Sequence, residues 1–356
     1  MSTHKVYRAI GLMSGTSLDG VIDVALIETD GISYVRPLGY YEHPYDLSVR
    51  DKVRCCFGKV TPDSQTKEAE DLVTDLHIDA VRSSGFDAEI IGFHGQTITH
   101  HPKDGFTWQI GDGPRLAKET GVSVIYDMRR NDMAQGGQGA PLLPLYHQAL
   151  LSEQEMPVAI LNLGGVANIT YAGVNGDLVA FDCGPANALM DDFIKLREGC
   201  DFDKDGRKAA LGTVLDAPLK AFCADPFFRM KPPKSLDRNH WDISCVRYAS
   251  TEDGMATLLE MSVSGVQKAL NHLPGIPEHI YVAGGGRKNR YFIETVAQRL
   301  GIPVLPVEAL GWNGDATEAE GFAYLAVRSL LGLNLTLPET TGVAHAVSGG
   351  LLEEAC

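Results

Sequence analysis

Near the N-terminus two β-prone runs flank a turn made almost entirely of small residues, and this stretch constrains the chain most. Tyr7–Met13 runs in, Val21-Ile-Asp-Val-Ala-Leu-Ile27 runs out, and Ser14, Gly15, Thr16, Ser17, Asp19 and Gly20 lie between them. Such a pattern predicts a hairpin. Its tip, rich in hydroxyls and unobstructed backbone N–H groups, suits close approach of an anion such as a phosphate. An ordinary hairpin turn satisfies the same local pattern. Further glycine turns downstream, and the absence of any bulky side chain between Ser14 and Ser17, favour the anion.

The rest of the first half reads as a third strand at 33–41, a helix at 63–84, and buried strands at 89–94 and 123–127. In the helix, Leu72, Val73, Leu76, Ala80 and Val81 recur near helical spacing with acidic residues between them. The second half repeats the plan. Val158–Leu163 runs into Gly164-Gly165, Asn168–Tyr171 returns, and Leu178–Phe181 is a third strand. Asp182-Cys-Gly-Pro-Ala-Asn187 then opens a helix running to about 197, with Pro185 suited to its first turn. A long helix at 254–272, a strand at 279–283, a helix at 289–300, a strand at 303–307 and a helix at 317–331 follow. Two rounds of three strands, helix, strand, helix, strand predict a duplicated α/β protein with a mixed sheet in each half.

A chain of 356 residues is long for one core, which agrees with two domains. The Gly- and Pro-bearing segment 127–144 marks the boundary. A formal charge of -15 disfavours nucleic acid or an anionic membrane as partner. A phosphorylated ligand must then be held by local amides, helix starts and a few cations. Seven cysteines without a C-x-x-C pair predict free thiols in a reducing, cytoplasmic setting. Neither Cys55-Cys56 nor His100-His101 has metal-ligand spacing, so no protein-built metal site is expected. No apolar run is long enough to cross a membrane.

The two common nucleotide motifs, G-x-x-x-x-G-K-[ST] and a strand-bounded G-x-G-x-x-G, are absent. Instead three glycine turns follow strand-like runs: Gly11–Gly20, Gly164-Gly165 and Gly284-Gly285-Gly286. Asp182 closes an apolar strand immediately before a helix start. There a carboxylate either caps the helix or orients a nucleophile, and taken bare the cap is the commoner outcome. Arg129-Arg130 are either a solvated turn or cations for a carboxylate or phosphate.

Gly11-Leu-Met-Ser-Gly-Thr-Ser-Leu-Asp-Gly20 resembles the signature of anhydro-N-acetylmuramic acid kinases, in the sugar kinase, Hsp70 and actin superfamily, and the likeness continues to about residue 330. The resemblance implies an actin-like ATPase fold, two ribonuclease H-like domains flanking a nucleotide cleft. The first covers 1–130 and is joined by a C-terminal helical segment at about 316–356; the second covers 131–315. ATP contacts are implied at Gly11, Leu12, Met13, Ser14, Gly15, Thr16, Ser17 and Leu18, at Gly164, Gly165 and Asn168, and at Gly284, Gly285, Gly286 and Asn289. The segment Phe181–Asn187 is similar to the one that holds the family's catalytic aspartate, which makes Asp182 the base; Cys183 departs mildly from the usual small residue. Sugar contacts are implied at Gln96, Thr97, Arg130, Gly137 and Glu318, with Gly136 beside them.

The implied reaction uses Asp182 to draw a proton from water attacking C1 of the 1,6-anhydro sugar, while the freed O6 takes the γ-phosphoryl of ATP with Mg²⁺ on the phosphates. A homodimer is implied as well. Two alternatives use the same residues: a kinase of the superfamily for another sugar or small carboxylate, and an actin- or chaperone-like ATP-binding protein without catalysis.

Overall fold

The computed structural model describes residues 5–15, 18 and 20–355; the expected positions Thr16 and Ser17, and Asp19, lie outside them. The chain divides into two compact units. The first comprises residues 1–152 and 316–356, the second 153–315.

In the first unit the strands are β1 (Tyr7–Met13), β2 (Val21–Thr29), β3 (Val35–Pro44), β4 (Ile90–Phe93), β5 (Gln96–His101), β6 (Phe106–Ile110) and β7 (Ser123–Tyr126). The second adds β8 (Val158–Leu163), β9 (Val166–Ala172), β10 (Leu178–Pro185), β11 (His279–Ala283) and β12 (Val304–Pro306), and β13 (Leu351–Glu353) returns to the first. One sheet has the order β13-β7-β4-β1-β2-β3 and the other β10-β9-β8-β11-β12. Without β13 and read from opposite ends, the two orders coincide. In each, three antiparallel strands in series are followed by two strands added parallel to the first. The duplicated mixed-sheet plan of an actin-like ATPase is therefore present in the topology itself.

Local chemistry explains the elements. The helix Ser64–Ser84 starts on a capping box between Asp63 and Thr66 and ends at Gly85 in the left-handed conformation. Alternation in β1 and β2 buries Ile10, Leu12, Ile22 and Val24 against Ile78 and Val81 of that helix. In the second unit the helix Thr251–Ala269 buries Met255, Leu258, Leu259 and Val266 among Phe181, Phe193 and Phe292. Each such fully buried side chain is worth about 1.5–3 kcal/mol.

The first unit extends past the expected boundary at 130. Residues 131–152 remain with it because Asp132 accepts hydrogen bonds from Gly139 N at 2.6 Å and Thr341 Oγ1 at 2.5 Å, and because Tyr146 donates to Glu320. The helix Thr317–Leu330 lies directly on β1 and β4. A Cβ on Gly11 would stand 1.7 Å from the Ala319 carbonyl oxygen, and one on Gly92 would stand 2.1 Å from that of Phe322.

Candidate functional site

In the second unit the β8–β9 hairpin turns through Gly164-Gly165. The Gly164 carbonyl accepts from Asn187 N at 3.0 Å and from its side-chain Nδ2 at 2.9 Å; that of Gly165 accepts from Ala186 N at 3.0 Å and Ala188 N at 3.2 Å. Both carbonyls are thus committed to the start of the helix Asn187–Glu198, which turns the peptide N–H groups the other way. A Cβ on either glycine would meet nothing closer than 3.6 Å. Packing within the chain does not require these glycines, whereas close approach of a ligand would.

Gly284-Gly285-Gly286 lies at the end of β11 beside this hairpin. Here packing does impose glycine: Gly284 has φ +75° and a Cβ would stand 2.3 Å from Asn162 Oδ1, while one on Gly286 would stand 2.6 Å from Leu163 Cβ. Gly285 has no such neighbour within 3.9 Å. Asn289 caps the next helix by accepting from Phe292 N at 3.0 Å, so its side chain is already engaged. Both glycine turns occupy the carboxyl ends of adjacent parallel strands, where ligands of open α/β sheets bind. Arg287, almost fully buried, pairs with Glu308 at 2.7 Å and Asp315 at 2.9 Å and pins the third turn to the chain beyond β12.

Asp182 lies in β10, paired with the returning strand of the Gly164-Gly165 hairpin, but not in the setting expected from the sequence. β10 continues to Pro185, so the residue lies within the strand opposite Asn168, with a bulge between Asp182 and Gly184. The following helix is capped at Ala186 without a side-chain bond, which removes the capping role. Asp182 N donates to Lys234 O at 2.9 Å, and Asp182 Oδ2 accepts from Leu236 N at 2.7 Å. Burial pushes the carboxyl up to about 7, against the opposing pull of the Leu236 amide and the Lys234 ammonium. A base in this state is ionised above neutrality and lost below it. The acid limb of kcat/KM is therefore expected to titrate near pH 7 and to fall about tenfold per unit beneath it, measured over pH 5.5–8.5.

In the first unit Leu18, at φ +51°, closes a turn by donating its N–H to Gly15 O at 3.1 Å. Ser14 is buried, and its hydroxyl has no partner among the described residues. Gln96 is buried and donates through Nε2 to Gly15 O at 3.5 Å, so the first glycine turn and the expected sugar segment touch. Thr97 Oγ1 accepts from Gln109 Nε2 at 3.1 Å across the β5–β6 pair.

The two arginines separate. Arg130 is exposed and pairs with Asp127 at 3.2 Å, on the rim of a solvent-open recess of about 250 Å³ bounded by His94, Trp108 and Gln109. Arg129 turns inward. Its Nε and Nη2 donate to His94 Nε2 at 3.1 and 2.9 Å, and Nη1 donates to Gly139 O at 2.6 Å. His94 Nδ1 is 2.8 Å from Gly95 O, which assigns the proton to Nδ1 and the lone pair to Nε2. Burial and the Arg129 charge hold His94 well below its ordinary range, so it is neutral. Burial lowers Arg129 to about 10, with Glu318 and Asp132 opposing the shift, and the guanidinium stays charged at neutral pH. Glu318, exposed in the first turn of its helix, acts on Arg129. Gly137 has a packing cause, since a Cβ would stand 2.2 Å from Asp132 Oδ1. The sequence did not single out Arg129 over its neighbour, nor Lys234, Leu236 and Asn187 at all; Asn187 alone had a visible signal, its place two residues after Pro185.

A family model described as anhydro-N-acetylmuramic acid kinase matches residues 7–354. An anhydro-N-acetylmuramic acid kinase of Rhizorhabdus wittichii is 49% identical, covering 96% of this chain and 98% of that one. The protein of the same description from Zymomonas mobilis is 47% identical at the same coverages. Among solved structures, the activator of 2-hydroxyisocaproyl-CoA dehydratase from Clostridium difficile with bound ADPNP superposes with a TM-score of 0.47 at 11% identity, over 91% of this chain and 96% of that one.

Proposed function

The chain belongs to the anhydro-N-acetylmuramic acid kinase family, and from that premise we propose that Asp182 is the base that activates water for opening of the sugar's anhydro bridge. The protein is an ATP-dependent phosphotransferase with an alcohol acceptor, acting in cell-wall recycling. Water adds to C1, its proton passes to Asp182, and the C1–O6 bond breaks. The released O6 takes the γ-phosphoryl group, giving N-acetylmuramic acid 6-phosphate and ADP. The observation that carries this reading is the state of Asp182, with one oxygen tied to Leu236 N and its ionisation poised near neutrality.

In the first unit phosphate is taken by amides at Ser14-Gly15; in the second it is taken by those of Gly164-Gly165, and the adenosine by Gly284–Gly286; support comes from Gly164, Gly165 and Gly285, where a Cβ would meet no atom of the chain closer than 3.6 Å. Mg²⁺ would arrive with ATP and neutralise charge on its phosphates. The sugar is recognised by Gln96, Thr97 and a cation, and Arg129, tethered by His94 and acted on by Glu318, fits the lactyl carboxylate better than solvated Arg130. The six cysteines among the described residues are free thiols, which suits a reducing cytoplasm, and the family resemblance supports a homodimer. No helix among the described residues is long and apolar enough to cross a membrane.

The test is ADP release. 1,6-Anhydro-N-acetylmuramic acid is expected to stimulate it strongly, and open-chain N-acetylmuramic acid, which offers O6 without a bridge, is not. Equal stimulation by both would assign the chain to kinases of ordinary sugars.

A further inference from the structure

The extended segment 234–236 brackets Asp182 twice. Lys234 O accepts from the Asp182 amide at 2.9 Å, and two residues later Leu236 N donates to Asp182 Oδ2 at 2.7 Å. Lys234 itself is buried, at 3% exposure. Its Nζ donates to Phe227 O at 3.1 Å and lies 4.4 Å from the Phe227 ring centroid and 5.7 Å from that of Phe181, the residue preceding Asp182. A buried ammonium held by one carbonyl and aromatic faces is costly, and an apolar side chain would fill the same space with less penalty. Its charge acts on Asp182, and burial holds it below the ordinary lysine range. Cys183, also buried, adjoins both; Lys268 lies over Phe228 and His272 contacts Phe181 and Phe228 on the other side of the aromatic cluster.

We infer that Lys234 is a positioning residue for Asp182: its segment ties the Asp182 amide and Oδ2, leaving Oδ1 as the oxygen that takes the proton, and its side chain, anchored on the Phe227 carbonyl, holds that segment in place. The inference rests on Asp182 being the base. The segment contributes by backbone contact and field, with no contact to the reacting atoms required of the lysine.

Lys234→Met, Lys234→Gln and Lys234→Arg test it in the full chain, with Asp182→Asn in parallel. Lys234→Met is expected to fold, to keep KM for ATP within about threefold, to lower activity at pH 7 by about fivefold, and to move the acid limb of kcat/KM up by about one pH unit. Lys234→Arg is expected to restore the limb to within a few tenths of the wild-type position. Should the Met variant fail to fold, Lys234→Gln, whose amide can still reach the Phe227 carbonyl, carries the same comparison. A folded Met or Gln variant with wild-type kcat and an unmoved acid limb overturns the inference. Asp182→Asn turning over within about tenfold of wild type would instead remove the base assignment on which it stands.

Discussion

Asp182→Asn is expected to turn over about a thousandfold more slowly than the wild type and to melt at a higher temperature. The first effect follows from removing the only proton acceptor proposed for the attacking water, at the usual magnitude for a general base. The second follows from the carboxyl's environment. Its folded-state value is raised to about 7 by burial, against about 4 in the unfolded chain. Between those values the unfolded chain ionises while the folded one holds its proton, so stability falls as pH rises from 4 to 7 and stays lowered above. The amide carries no such penalty. Above pH 7 the variant is therefore expected to melt a few degrees higher, and the gap to close toward pH 4. Isothermal titration with ADP should give wild-type affinity, since none of the glycine turns is altered. A variant that is inactive and melts lower at pH 8 would point to a structural carboxylate rather than a base.

Gly11→Ala is expected to destabilise the protein by more than about 3 kcal/mol, because its Cβ would stand 1.7 Å from Ala319 O and 2.6 Å from Ala323 N. Those are backbone atoms of the helix that covers β1 and β4, and they cannot move without lifting the helix off the sheet. Denaturant unfolding measures this directly. The contrasting variant is Gly165→Ala, whose Cβ has 3.6 Å of room. It should leave the transition unchanged and raise KM for ATP. If Gly11→Ala folded normally and only ATP affinity suffered, Gly11 would belong with the ligand-facing glycines and not with the packing ones.

That contrast marks how far sequence alone reaches. The decapeptide names both Gly11 and Gly15 as nucleotide contacts, yet Gly11 is required by a helix more than 300 residues away in the chain, which no local pattern reveals. The duplicated plan was legible because each half repeats three strand-like runs before its helices, whereas the order of the strands in each sheet came only with the fold. The β5–β6 pair was not, since His100-His101-Pro-Lys-Asp reads as polar loop, and its pairing depends on a bulge between Thr97 and Thr99. Arg129 and Arg130 are identical in type and adjacent, and only the fold decides which turns toward His94. Residues 200–250 show neither period clearly; apart from the helix Asp216–Cys223 they form short turns around Phe227 and Trp241, so Lys234 had no signal before its neighbours were known.

The helix Thr317–Leu330 completes a sheet begun at Tyr7, while the second unit is one uninterrupted stretch from Glu153 to Asp315. On a translating ribosome the later unit is thus the first to emerge whole. The earlier one waits, its β1 and β4 faces bare around Gly11 and Gly92, until residues 317–330 have left the exit tunnel.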